Sequence, residues 1–309
     1  MGQTVARLLV VGGNGFIGRH IVKRAVMLGW DITSLSLSPQ KIFEEPSAVV
    51  RRVSVDITDM IMLKKALGDA KFDYVVNCSG YIDHKLFFNE GRGIIDCHFL
   101  GVLNLVELLN RDVLQSFINI GSSDEYGNTL APQIESQREE PVSPYSLGKV
   151  AATHFLQMLN RTENFPATTL RLFLTYGPGQ ESRRFLPQII QGCLDGRSFP
   201  TSHGEQLRDF CYVEDTVDAL FSVFSRSSTR GEVINIASGN PIAIRQMIEL
   251  IRKLIGRGEP RFGEIAYRIG ENMALYADIS KAKALLNWSP RVNIENGLDK
   301  TIQAMRGSS

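Results

Sequence analysis

The stretch "RLLVVGGNGFIGRHIVKRAVMLGW", residues 7–30, leaves the chain few folds to choose from. An apolar run too short for a buried helix ends in glycines, and apolar residues then recur at helical spacing as far as Gly29. This reads as a buried strand, a tight turn and a helix. Gly12, Gly15 and Gly18 sit in the turn, where the absence of side chains lets a backbone bend sharply and lets an anion approach the helix N-terminus. There the unpaired N–H groups and the helix dipole favour a phosphate. In this context the loop, with Asn14, Phe16 and Ile17 between its glycines, predicts a dinucleotide cofactor held by its pyrophosphate.

The alternation continues. "DITSLSLS", "AVVRRVSVD", "FDYVVNCSG" and "QSFINIGSS" read as strands, and "MIMLKKALGDA" and "IIDCHFLGVLNLVELLNR" as the helices between them. Strands alternating with helices predict an α/β fold, a doubly wound parallel sheet covered on both faces. We place this domain at residues 1–175, ending in "ATTLRLFLTYGPG". Residues 176–309 are more mixed and predict a smaller lobe interwoven with the first. Within it "RRFLPQIIQGCLDG", "IRQMIELIRKLIG", "ALYADISKAKALLNWSP" and "IENGLDKTIQAM" read as helical.

Charge excludes some classes of partner. With 34 basic and 33 acidic residues the formal net charge is +1, which gives no reason to expect nucleic acid or an anionic membrane. No segment approaches the roughly 18 apolar residues of a membrane span. The N-terminal run enters a strand directly, without a signal-peptide pattern, so a cytoplasmic protein is expected. Cys78, Cys97, Cys193 and Cys211 lack metal-ligand spacing and are expected as reduced thiols, with no metal site.

The dinucleotide reading can be sharpened. An acidic residue that reads the ribose belongs at the end of the second strand, about twenty residues past the loop. Ser36 stands there, with Ser38 nearby, while Asp31 comes too early. A missing acid permits a 2′-phosphate, so NADP(H) is favoured, with NAD(H) possible; Arg19, Lys41 or Arg51 would supply the charge. Asp56, followed by Ile57 in "VDITD", suits an adenine amino group, or caps the next helix. Cys78, Ser79 and Gly80 end the fourth strand, where small residues let the cofactor lie close.

"GSSDEYG", residues 121–127, closes the next strand, and "PYSLGK" follows. Tyr145 and Lys149 are four apart and share a helix face. An ammonium beside a phenol favours the phenolate, which can then trade a proton with a substrate oxygen near neutral pH.

The motifs "GGNGFIG", "VDITD", "GSSDEYG", "PYSLGK", "RLFLTYGPG", "RDFCYVEDTVDAL" and "DISKAKALLNWSP" together resemble the extended short-chain dehydrogenases/reductases, the nucleotide-sugar epimerase/dehydratase superfamily, over nearly the whole chain. The resemblance implies a Rossmann-type domain, a nicotinamide cofactor and hydride transfer at carbon 4 of a nucleoside-diphosphate sugar bound between the lobes. It makes Ser122 the hydroxyl that meets the sugar oxygen, Tyr145 the acid/base, and Lys149 the residue that holds the ribose and tunes the tyrosine. It also implies a homodimer formed through the helices "IIDCHFLGVLNLVELL" and "YSLGKVAATHFLQML".

"GSSDEYG" is most similar to the "GSSEEYG" of GDP-4-keto-6-deoxymannose reductases, so reduction of a 4-keto-6-deoxy sugar is the expected reaction. Sugar 4,6-dehydratases carry a glutamate where Asp124 stands, with an apolar residue where this chain has Glu125. Asp124 is therefore a candidate base, and an epimerase or dehydratase with tightly held NAD is the alternative. A sensor that binds the dinucleotide without chemistry would need no such proton relay. Arg208 is expected to hold the substrate diphosphate with its forked donors, helped by Arg183 or Arg184, and Ser123 to line the sugar site. The other reading of these arginines is surface pairing with Glu181 and Asp209. His98 and Leu174 stand where such proteins usually have asparagine. Asp215 is expected to cap the helix "TVDALFSVF".

Overall fold

The computed structural model describes residues 5–38, 50–267 and 270–307. Two compact units emerge, and the chain passes between them repeatedly. One comprises Met1–Gly127, Glu139–Arg171 and Val217–Ile234; the other comprises Asn128–Arg138, Leu172–Thr216 and Asn235–Ser309. The single boundary drawn near residue 175 is thus replaced by several.

The first unit is built on β1 (Arg7–Val11), β2 (Asp31–Ser36), β3 (Val50–Ser54), β4 (Tyr74–Asn77), β5 (Ser116–Ser122) and β6 (Ala167–Leu172), with a seventh strand at Val233–Ile236. The order across the sheet is Val233–Ile236, β6, β5, β4, β1, β2, β3. The pairings among β1 to β5 are parallel. The strand order reverses between β1 and β4, and ligands of such sheets bind beyond the carboxyl ends of the strands at that point.

Burial explains the sheet. Leu9, Val11, Val75 and Phe117 are fully buried on one face, against Leu63, Leu105, Ala152 and Leu156 from the covering helices. A Leu→Ala change in such a packed layer costs about 2–5 kcal/mol. The helices that matter below are α1 (Phe16–Met27), α2 (Met60–Leu67), α3 (Arg92–Ile95), α4 (Gly101–Leu108) and α5 (Pro144–Glu163). Residues 94–111, expected as one helix, contain a wide π turn at Asp96–Leu100 between α3 and α4, and the helix ends at Leu108. Helix α5 starts where Ser143 accepts from Ser146 N–H (3.1 Å) with Pro144 in the first turn, and it stops at Asn164 in the left-handed region (φ 57°).

The second unit centres on Leu207–Tyr212, paired with Leu174–Tyr176, Pro241–Ala243 and Ala274–Leu275. Its helices include Phe185–Leu194, Ile244–Ile255 and Ile294–Arg306. The segment from Ala274, expected to be helical, is extended at first. Gln133 engages it on both sides, donating to the Tyr276 carbonyl and accepting from Tyr276 N–H. The helix proper is only Ser280–Leu286, begun by Asp278, which accepts from Ser280 N–H at 2.6 Å. Asp215 lies in the first turn of the helix Val213–Phe224, and its carboxylate accepts from Arg291 and Val292 N–H (3.1 and 2.9 Å). No helix among the described residues is long and apolar enough to cross a membrane.

Candidate active site

The glycine loop follows β1 directly. Gly12 has φ +83°, and a Cβ there would meet the Cys78 carbonyl oxygen at 2.7 Å, so the loop rests on the end of β4. A Cβ on Gly18 would meet the Gly13 backbone at 2.7 Å, so the third glycine lets α1 pack onto the turn. Gly15 precedes α1 with no side-chain cap, and the first turn holds no acid. This is a helix N-terminus prepared for an anion, and it fits a dinucleotide pyrophosphate. Phe16 begins α1, with its ring edge-on to His20, and Ile17 follows half-buried.

Ser36 ends β2 beside this loop, and its Oγ accepts from Asn14 N–H at 3.0 Å; the Asn14 amide donates to the Ser38 carbonyl at 2.8 Å. Arg51 donates instead to the Ala66 carbonyl (2.9 Å), and Lys41 lies outside the described residues. Asp56 does not cap α2. Its carboxylate accepts from Thr58, and Asp59 is the cap, accepting from Met62 N–H at 3.0 Å. Ile57 is buried against Gly101, and its carbonyl accepts from Asn104. Cys78 points back to the Val11 carbonyl (3.0 Å), and burial pushes its thiol up to about 12. Ser79 donates to Asn77 at 2.6 Å.

Ser122 is the last residue of β5. Its N–H donates to Glu125 Oε1 (2.8 Å), and its Oγ accepts from Asp124 N–H (3.1 Å). This reciprocal cap folds residues 123–126, including buried Ser123, into one 3₁₀ turn. Since Oγ accepts there, what it can offer a ligand oxygen is its proton.

Tyr145 and Lys149 lie in the first two turns of α5, both buried. Lys149 Nζ donates to the Ile120 carbonyl at 2.7 Å, which draws it to the end of β5, and it lies 6.0 Å from the Tyr145 ring centroid. Burial lowers the Lys149 pKa, against the opposing charge of Glu125. Ser122, Tyr145 and Lys149 therefore lie toward one end of the sheet.

His98 is buried in the π turn between α3 and α4. Its Nε2 is 3.0 Å from the Tyr81 carbonyl, so that nitrogen carries the hydrogen, and its ring stands edge-on to Tyr145 with centroids 4.9 Å apart. Burial, helped by the Lys149 charge, lowers its pKa to about 3 and keeps it neutral. Gly80 (φ +98°) makes room for it, since a Cβ there would meet His98 Nδ1 at 2.7 Å.

Two features escaped the motifs. Glu125 is fully buried, and its Oε2 accepts from Thr153 (2.9 Å) and from Arg171 Nε (3.0 Å). Arg171 also pairs with Glu139 and lies over the Tyr126 ring, 4.7 Å from its centroid. Burial alone would lower the Arg171 pKa, but Glu125, Tyr126 and Glu139 together raise it. The second feature is His84, from the loop after β4, whose Nε2 is 3.8 Å from Asp124 Oδ2. Glu125 in a slot usually apolar, and an arginine inside the apolar strand "ATTLRL", were the available signals for the first. Nothing marked the second.

The arginines expected at the diphosphate lie in the other unit. Arg208 is buried, paired with Glu271, and donates to the Leu207 carbonyl at 2.8 Å. Asp209 accepts from Ser238 and Gly239. Arg183 pairs with Glu181 at 2.8 Å, and Arg184 precedes the helix Phe185–Leu194.

A parallel sheet of this order, a glycine loop at its switch point and a Tyr–Lys pair at the end of β5 define a short-chain dehydrogenase/reductase-type enzyme. The model of the NAD dependent epimerase/dehydratase family matches residues 8–237, and the chain belongs to that family. It is 28% identical over 307 residues to the UDP-glucuronate 4-epimerase of Thermodesulfobacterium geofontis, covering 95% of this chain and 94% of that protein. It is 28% identical to the dTDP-glucose 4,6-dehydratase of Xanthomonas campestris pv. campestris, covering 96% and 92%. The structure is similar to that of the Thermotoga maritima UDP-glucose 4-epimerase with UDP-glucose, with a TM-score of 0.90, 26% identity and coverage of 98% and 99%.

Proposed function

We propose that the protein transfers hydride at carbon 4 of a nucleoside-diphosphate sugar, and that its net reaction is reduction of a 4-keto-6-deoxy sugar. The observation that carries the reading is the gathering of Ser122, Tyr145 and Lys149 at the carboxyl end of β5. The resemblance of "GSSDEYG" to the 4-ketoreductases supports the direction. The loop from Gly12 to Gly18 would hold the cofactor's pyrophosphate, Asp56 and Ile57 its adenine end, Cys78 to Gly80 its approach to the sheet, and Lys149 with Tyr145 its ribose. When bound, the dinucleotide supplies or accepts the hydride. Ser122 donates its proton to the sugar oxygen in a hydrogen bond, and Tyr145 exchanges a proton with that same oxygen. Neutral His98 adds no charge beside them. Arg208 and Arg184 are the residues proposed to bind a diphosphate, which would take over the Arg208 guanidinium that Glu271 holds.

On the cofactor, the missing ribose acid favoured NADP(H), but several observations move our reading toward NAD(H). The family's description names NAD. Ser36 is engaged by the loop, and Arg51 is turned to Ala66. A second reading of the reaction, 4-epimerase or 4,6-dehydratase, is favoured by Asp124 and by the relatives named above. We also propose a homodimer through residues 94–109 and 145–159, where Leu100, Leu147 and Met158 are exposed; a monomeric mass in dilute solution would sink that.

The test begins with the purified protein. Any bound cofactor is released and identified, and NADH and NADPH absorbance is followed with GDP- and dTDP-linked 4-keto-6-deoxy sugars. Substrate-dependent consumption of reduced cofactor supports the reductase, and Tyr145→Phe should lower it by about 10²–10⁴-fold. Tightly held NAD without net consumption moves the assignment to epimerase or dehydratase.

A further inference from the structure

His84 and Asp124 face each other beside the proposed proton donor. His84 Nε2 is 3.8 Å from Asp124 Oδ2, and the His84 ring stands edge-on to the Tyr145 ring with centroids 6.0 Å apart. Their side chains are 43% and 32% exposed, whereas Tyr145, Lys149 and His98 around them are buried. Asp124 is tied to Ser122 through its own N–H, so the pair sits on the same turn as the hydroxyl that would hold the sugar oxygen. We propose that His84, oriented by Asp124, is a second acid/base that exchanges the proton on a carbon adjoining the keto carbon. This rests on the reading of a 4-keto sugar at Ser122 and Tyr145.

A ketone whose oxygen receives hydrogen bonds acidifies the neighbouring C–H. Tyr145 is committed to the oxygen, so a proton on the adjoining carbon needs another acceptor. His84 takes it: the C–H bond breaks, its electron pair becomes the C=C of an enolate, and the carbonyl π pair moves onto oxygen. Hydrogen bonds from Ser122 and Tyr145 stabilise that oxygen. The proton rests on the imidazole, and the Asp124 carboxylate stabilises the imidazolium. Return of a proton to carbon restores the ketone, so no oxidant or reductant is consumed. Because His84 is open to water, the returning proton comes from solvent. His84 returns a proton to the face it came from, so the exchange is silent and the centre keeps its configuration.

The experiment incubates the full chain in D₂O with GDP-4-keto-6-deoxymannose or a dTDP-linked 4-keto-6-deoxy sugar, without reduced cofactor. Deuterium at the two carbons flanking the ketone is read by NMR, and sugar binding is read separately by saturation-transfer NMR. The expected result is incorporation at one flanking carbon, slowed about 10²-fold or more in His84→Asn and His84→Gln, and slowed less in Asp124→Asn. Melting curves identify any variant that fails to fold, and the second substitution then carries the test. Binding without exchange above the buffer rate overturns this inference and leaves the function reading standing. Exchange that survives both His84 changes but is lost in Asp124→Asn also overturns it, since the base is then the carboxylate. Failure of either sugar to bind overturns the function reading and this inference with it.

Discussion

Glu125 accepts from Ser122 N–H, Thr153 and Arg171 and is sealed from water, while the carboxylate of its chain neighbour Asp124 is a third exposed and faces His84. Two adjacent acids have thus been given opposite tasks by their surroundings. The buried one ties the Ser122 turn to α5 through Thr153, one helical turn beyond Lys149, and to β6 through Arg171. Full burial of a charge is tolerable only when it is paired and its oxygens are hydrogen-bonded, and Glu125 meets both conditions. The open one can reach solvent and a ligand. The largest effect expected is therefore on stability, at the sealed site. Arg171→Met leaves Glu125 and Glu139 without their shared cation and should cost about 3–5 kcal/mol in urea unfolding. A loss below about 1 kcal/mol would mean that the cluster does not hold the turn.

The same contrast separates the two histidines that stand edge-on to Tyr145. His98 is buried and His84 is exposed. Burial, then the Lys149 charge, lowers the His98 pKa from 6.5 to about 3, with the Tyr81 carbonyl opposing. Between those values the unfolded chain binds a proton that the folded chain refuses. The contribution is therefore fully present above pH 6.5 and is lost as the pH falls toward 3, at a slope of at most about 1.4 kcal/mol per pH unit. Unfolding measured between pH 6.5 and 5, before the carboxylates intervene, should show this decline in the native chain and a flatter profile in His98→Asn. Equal slopes in the two chains would remove His98 from the account.

A smaller change probes the join between the turn and α5. Thr153→Val conserves shape but withdraws one of the three donors to Glu125, at a cost of about 1–2 kcal/mol. If the carboxylate serves to position Ser122, this variant should also lower kcat more than it raises KM. A change in stability alone would make the contact structural.

What could be read before the fold was known divides along the same line. The glycine loop and the Tyr145–Lys149 spacing are local. Each is specified within one turn or one helix face by steric freedom or helical period, and so each was legible in consecutive residues. Ser122 was singled out by the resemblance of its motif, and its reciprocal cap with Glu125 was not. The sheet was legible too, because buried parallel strands read as short apolar runs. Contacts that depend on the chain returning were not legible. Glu125 and Arg171 are 46 residues apart, and only the oddity of an acid in an apolar slot and an arginine in an apolar strand pointed to each other. His84 comes from a loop with no pattern of its own, so its meeting with Asp124 is a product of topology. The assignment of a cap to Asp56 failed for a related reason: Asp56 and Asp59 are both plausible caps by residue type, and the chain's path decides between them.

The smallest expected effect sharpens the comparison most. Asp124→Asn keeps the backbone N–H that Ser122 Oγ accepts and changes only a part-exposed carboxylate. Exposed ion pairs of this kind contribute about 0–1 kcal/mol, so the variant should melt within a degree or two of the native chain. Glu125→Gln, made one residue away, keeps an acceptor for Ser122 N–H but removes the charge that balances buried Arg171, and should melt clearly lower. The pair of melting curves is decisive because the two substitutions are alike in chemistry and adjacent in the chain. If the order is reversed, Asp124 is part of the scaffold, and its place beside His84 loses its meaning as a site for chemistry. If the order holds, stability and chemistry have been divided between two consecutive residues, and any loss of proton exchange in Asp124→Asn is a loss at the site itself.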